Sequence, residues 1–280
     1  MKLCSFSANG AASYGIVTGH GIIDLGRRFP EATLREFLAA GSMDRAAAPA
    51  NAAPDHAVDT VTFEPVIPNP DKIICVGLNY HDHILETGRT VTANPVLFAR
   101  FAGSQVGTGQ PLLKPLESDE FDYEGELAVI IGRGGRRIPA ERALEHVAGY
   151  ACYNDASVRD WQRHTSQFMP GKTFAATGGF GPWMVTSDEI RDPSRLTLTT
   201  RLNGQVVQQT TTDLMITDVP TLIAYCSTIL PLLPGDVIVS GTPGGVGAKR
   251  TPPLWMRAGD VAEVEISGIG VLCNPIAAEA

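Results

Sequence analysis

Short apolar runs broken by glycine-bearing turns outnumber helical patterns along this chain. The opening stretch, MKLCSFSANGAASYGIVTGHGIIDL, alternates such runs with turns, and TGHG between two of them predicts a hairpin connection. EATLREFLAAG then places Leu34, Phe37 and Leu38 on one helical face, with Gly41 as the stop. The following AAAPANAAPDHA is rich in alanine and proline and poor in large apolar side chains, so it reads as a linker. The expected division is a small N-terminal α/β domain with its linker over residues 1–65 and a larger part over 66–280.

Beyond the linker the pattern is mostly strand-like: KIICVGLN, ELAVIIG, YACYND, PWMVT, LTLTTRLNGQVV, DVIVSGTP and VAEVEISGIGVL. Asn203-Gly204, flanked by β-branched residues, predicts a tight hairpin. Helices are predicted for IPAERALEHVAGY, with Pro139 in its first turn, for DASVRDWQRHT after a strand, and for VPTLIAYCSTILPLL, apolar enough to pack under a sheet. The class that fits is α+β, built around a curved or rolled β-sheet.

Composition removes several functions. With 44% hydrophobic and 19% charged residues over 280 positions, the chain supports a sizeable core. A formal net charge of −8 argues against a nucleic-acid partner, which requires a concentrated basic surface. No apolar run approaches the roughly 20 residues of a membrane span, and the N-terminus lacks the order of a secretory signal, so a cytoplasmic enzyme or binding protein is expected. The five cysteines are scattered without a CxxC pair and read as buried thiols.

Chemistry enters with DEFDYEGELAVIIG, where Glu124 and Glu126 leave one face of a strand. Two carboxylates so close call for positive charge between them, and oxygen donors suit a hard cation such as Mg²⁺ or Mn²⁺. In YACYNDASVRDWQRH a third carboxylate, Asp155, stands at the expected N-cap of a helix, with Arg159 and Gln162 following at i+4 and i+7 on one face. His83 and Glu86 fall on one helical turn after Asn79-Tyr80, a pairing that orients the imidazole as a general base acting through water, whereas His81 and Asp82 point elsewhere. Lys172 is expected in a loop before a strand. Gly241-Thr242-Pro243-Gly244-Gly245 offers backbone N–H groups and a hydroxyl able to grip a carboxylate, without the order of a nucleotide-binding P-loop.

Taken in order, VGLNYxxHxxE, DYEGELAVIIG, YNDASVRDWQ, GKTF with a following GPW, LNGQVVQ, PGDVIVSGTPGGVG and GDVAEVEISGIG resemble the fumarylacetoacetate hydrolase family over about residues 70–276. The resemblance implies an FAH-type β-roll catalytic domain preceded by a smaller N-terminal domain, assembled as a homodimer. It implies Glu124, Glu126 and Asp155 as ligands of Mg²⁺, Mn²⁺ or Ca²⁺, and His83 and Glu86 as a catalytic dyad on a lid. Arg159, Gln162 and Lys172 would surround developing negative charge, with Tyr80, Gly241 and Thr242 on the substrate. Many relatives carry an Asp after GKSF, where this chain has Ala175 and Ala176.

The reading placed first is a metal-dependent hydrolase that cleaves a C–C bond of a β-diketo acid, an acylpyruvate or 2,4-dioxo acid, through water activated by the dyad. The alternative keeps the same enolate-stabilising site for decarboxylation, tautomerisation or hydration of a simple 2-oxo acid such as oxaloacetate. A binding protein without turnover is the third, opposed by the full set of charged groups.

Overall fold

The computed structural model describes residues 1–279. Its main sheet has 11 strands, and along its principal path they run Gly21–Asp24, Ala11–Thr18, Lys2–Ala8, Gly178–Thr186, Val147–Asn154, Gly125–Ile131, Val237–Val239, Ile73–Gly77 and Val96–Arg100. A second, 5-stranded sheet carries the Thr197–Leu202/Gln205–Thr211 hairpin, which turns at Asn203-Gly204, and the Val261–Ile266/Gly270–Ala278 hairpin. The mixed, curved sheets make this an α+β protein.

Four central strands bring their ends to one place. Gly125–Ile131 starts where its antiparallel neighbour Val147–Asn154 finishes, with Gly125 opposite Asn154. Val237–Val239 is antiparallel to the same strand and parallel to Ile73–Gly77, so both of these also finish at that end of the sheet. Their continuations hold Glu124, Asp155, Gly241-Thr242 and the His83 helix.

Period-two alternation divides the Gly125–Ile131 strand between two cores. Leu127, Val129 and Ile131 face one cluster with Leu198, Val264 and the helix Val219–Ile229. Ala128 and Ile130 face another with Leu3, Tyr14, Leu34, Phe37 and Phe180. Gly125 allows the sheets to approach, since a Cβ there would lie 2.0 Å from Thr200 Oγ1.

The expected boundary at residue 65 therefore separates neither sheet nor core. Lys2–Ala8 pairs with Gly178–Thr186, and the N-terminal helix buries its apolar face in the cluster that Ala128 and Ile130 share. That helix, Leu34–Ala39, has Thr33 Oγ1 accepting from the Glu36 N–H and Glu36 Oε2 accepting from the Ala32 N–H, a reciprocal cap. The alanine-proline stretch forms short 3₁₀ turns, and His56 bridges to Ile22.

Two predicted helices are shorter than expected. Ala140–His146 is a 3₁₀ segment with Pro139 as its cap, because the chain must be extended from Val147 to join the sheet. After Asp155, Ser157–Val158 pairs with Phe121–Asp122, which postpones the helix to Arg159–Gln162.

Candidate active site

The strand ends enclose a cavity of about 550 Å³, walled by His83, Glu124, Glu126, Arg159, Gln162, Lys172 and Thr242 among others. One carboxylate oxygen from each of Glu124, Glu126 and Asp155 lies within 4.8 Å of the others, and all three residues are buried. Asp155 is not a helix cap: the helix starts four residues on, after an uncapped Val158. Its backbone N–H donates to Glu124 O at 2.8 Å instead, so sheet pairing sets the carboxylate in place.

Cations surround this triad. Lys172 Nζ is 2.7 Å from both Glu124 Oε2 and Asp155 Oδ2, and it is reached from a short helix, Met169–Lys172, where a loop was expected. Arg159 Nη1 lies 2.6 Å from Glu124 Oε1, and its Nε donates to Asp122 Oδ2 at 2.8 Å. Arg100 Nη1 donates to Asp155 Oδ1 at 2.6 Å. Burial works to raise the Glu124 pKa, but Lys172 and Arg159 outweigh it and hold the group at about 2. Glu126 has no such partner. Burial, then the charges of Asp155 and Glu124, push its pKa well above the usual carboxylate range.

Four buried carboxylates (Asp122, Glu124, Glu126, Asp155) thus meet three buried cations (Arg100, Arg159, Lys172), leaving one negative charge uncompensated. An all-oxygen donor set with surplus negative charge fits a hard divalent cation, which would let Glu126 ionise. The triad's donor set therefore suits a divalent metal.

His83 Nδ1 lies 2.7 Å from Glu86 Oε1 in the helix His81–Thr87, which leaves Nε2 for proton transfer. The glycine-rich loop does grip carboxylates, but they belong to the protein. Gly241 N–H donates to Glu126 Oε2 and Gly245 N–H to Glu86 Oε2, so a substrate contact from Gly241 N–H is already taken. Thr242 lines the cavity, with Oγ1 donating to Gly125 O at 3.0 Å and accepting from Gln208 Nε2 at 2.9 Å. Gln162 accepts from Arg159 Nη1 at 3.0 Å.

Tyr80 departs from its expected role as a substrate contact. It is 1% exposed and packs in the apolar cluster with Met215 and Leu127, because its main chain bridges to Met215 and turns the ring inward.

Sequence reasoning missed Arg100, Asp122 and Gln208. Asp122 continues the period-two spacing of Glu124 and Glu126, and that was its signal. Arg100 ends the strand Val96–Arg100 far from the acidic motifs, and Gln208 reaches Gly125 N–H from the other sheet, so neither had a local one. Removing Arg100 is expected to be costly. Arg100→Leu leaves the fully buried Asp155 carboxylate with Lys172 as its one remaining cation and should destabilise the metal-free protein by about 3–5 kcal/mol in urea unfolding. A loss below about 1 kcal/mol would reduce the pair to the worth of a surface salt bridge.

Glu124 and Glu126 of a buried acidic triad, an oriented imidazole and encircling cations around one cavity are the parts of an enzyme site. Residues 72–277 match the fumarylacetoacetate (FAA) hydrolase C-terminal family, and the chain belongs to the FAH family. It is 40% identical over 287 aligned positions to oxaloacetate tautomerase fahd2, mitochondrial, of Xenopus laevis, covering 99% of this chain and 90% of that protein. Among solved structures, fumarylacetoacetate hydrolase from Exiguobacterium antarcticum has a TM-score of 0.87 at 37% identity, with 100% of both chains covered. Maleylpyruvate hydrolase from Sphingobium sp. SYK-6, with manganese(II) and pyruvate bound, has a TM-score of 0.84 at 27% identity, again with 100% of both chains covered. The cytoplasmic setting expected from the sequence is overturned here. The Xenopus laevis relative is named mitochondrial, as are those from Bos taurus and Homo sapiens, and the search for a secretory signal did not bear on that compartment.

Proposed function

We propose that the protein is a tautomerase of oxaloacetate or a closely similar 2-oxo dicarboxylic acid, using Mg²⁺ or Mn²⁺ held by Glu124, Glu126 and Asp155. This places the alternative reading ahead of C–C hydrolysis. What carries it is His83, held by Glu86, opening on the same cavity as Glu124 and Glu126 of the acidic triad, in a chain aligned end to end with a tautomerase.

The cation, when bound, would act as a Lewis acid toward the carboxylate and 2-oxo oxygens of the substrate and acidify its C3 protons. The chain's own groups do the rest. Glu86 fixes His83 in the tautomer with Nε2 facing outward to accept a proton from C3 or return one there. Arg159 adds a donor. Its buried Nη2 has no hydrogen-bond partner among the described residues, and negative charge developing on the 2-oxygen would satisfy it. Lys172, its positive charge maintained because Asp155 and Glu124 outweigh the effect of burial, adds a second positive centre. Tautomerisation asks only for one proton to leave and one to return. Hydrolysis needs in addition an activated water and a protonated leaving carbon.

Hydrolysis of an acylpyruvate is the second reading, favoured by a cavity of about 550 Å³, roomier than a four-carbon diacid requires. Product analysis separates the two. Enol oxaloacetate mixed with Mg²⁺-loaded protein should lose its enol absorbance faster than in buffer and give the keto acid without CO₂ or acid fragments. Cleavage of acetylpyruvate to acetate and pyruvate, with no effect on the enol, would replace this reading by the hydrolase.

A further inference from the structure

Beyond the triad, the cavity wall is cationic. Among the described residues its only carboxylates are Glu124 and Glu126, against Arg89, Arg159, Arg163, Lys172 and Lys249. Arg159 and Lys172 are held in buried ion pairs, and Arg163 pairs with Glu120 at the surface. Arg89 and Lys249, both exposed at the mouth, pair with no carboxylate among the described residues.

Neither is loosely placed. Lys249 closes the turn Gly247–Lys249, whose Gly247 and Ala248 N–H groups donate to Asp122 at 2.8 and 3.0 Å. Asp122 also holds Arg159, so the turn has a fixed relation to the triad. Arg89 follows Gly88, the left-handed cap of the His83 helix, and its guanidinium stacks 5.1 Å from the centroid of Phe168, another wall residue.

We propose that Arg89 and Lys249 form a subsite for the distal carboxylate of a dicarboxylic 2-oxo acid whose 2-oxo end lies at Glu124, Glu126 and Asp155. The inference rests on the 2-oxo-acid reading above and specifies the substrate class: dianions over monoanions. A carboxylate bridging the two cations also ties the His83 helix to the glycine-rich loop, so the distal charge helps to set the dyad over the substrate.

Binding tests this without turnover. With Mg²⁺-loaded protein, calorimetry compares 2-oxoglutarate with 2-oxopentanoate, which share a five-carbon chain and differ only in the distal carboxylate. Wild type should prefer 2-oxoglutarate by about tenfold or more. Lys249→Glu and Arg89→Glu should each erase most of that preference by weakening 2-oxoglutarate far more than 2-oxopentanoate, while Lys249→Arg retains it. Both side chains are exposed, so the variants keep the fold. Equal affinity for the two acids, binding of neither, or a preference that survives both charge reversals overturns the subsite. Failure to turn over enol oxaloacetate alongside a Lys249-dependent preference would instead sink the tautomerase reading and leave the subsite standing.

Discussion

Glu126→Gln is expected to lower Mn²⁺ affinity by about 100-fold or more while the protein unfolds at the same temperature or slightly higher. Glu126 is chosen over Glu124 because of what each carboxylate neutralises. Glu124 is paired with Lys172 and Arg159, so Glu124→Ala leaves each of these buried cations with one carboxylate, Asp155 or Asp122, and loses stability together with metal. Glu126 accepts from the Gly241 N–H and forms no ion pair, and burial with the charges of Asp155 and Glu124 outweighs Lys172, so its amide isostere removes net repulsion.

The pH dependence has a definite sign. The folded pKa of Glu126 lies above its unfolded value of 4.5, so in metal-free protein its contribution to stability is fully present below pH 4.5. That contribution is lost as pH rises through the folded pKa. Glu126→Gln should flatten this loss in a series of melts. Retained Mn²⁺ affinity by electron paramagnetic resonance titration would remove Glu126 from the ligand set.

His83→Ala is expected to reduce tautomerase turnover by about 10²- to 10⁴-fold, the range of a lost general acid–base. Mn²⁺ affinity should not change, since His83 bonds to Glu86 and not to the triad. Glu86→Gln keeps a hydrogen-bond acceptor for Nδ1 but weakens the hold on the imidazole tautomer, so it should fall between the variant and wild type. A loss below about tenfold for His83→Ala would move proton transfer to another group, Lys172 being the nearest in kind.

Much of the site could be read from the sequence because its parts are short-range. Glu124 and Glu126 share a strand face, and His83 and Glu86 share a helical turn, so period alone brings each pair together. Asp155 shows where local reasoning stops. Its predicted place as a helix cap rested on an i, i+4, i+7 spacing, whereas the chain runs extended through Val158 because Phe121–Asp122 offers a pairing edge. Arg159 and Gln162 still reach the cavity, by tertiary placement of a short helix. Arg100 and Gln208 could not be found because their partners lie across sheet registers that no window of sequence contains. Near residue 65 composition marks a linker, while pairing of Lys2–Ala8 with Gly178–Thr186 carries the N-terminal part into the same sheet, a register no window of sequence contains.

Stereochemistry at C3 probes the proposed chemistry most directly. Enol oxaloacetate is ketonised in D₂O by Mg²⁺-loaded protein and trapped at once by malate dehydrogenase and NADH. A single base fixed by Glu86 delivers deuterium to one face of C3, so the malate should carry the new label in one stereochemical position, at a rate above buffer and abolished by His83→Ala. Label divided equally between the two positions at the buffer rate would mean that this site does not transfer the proton.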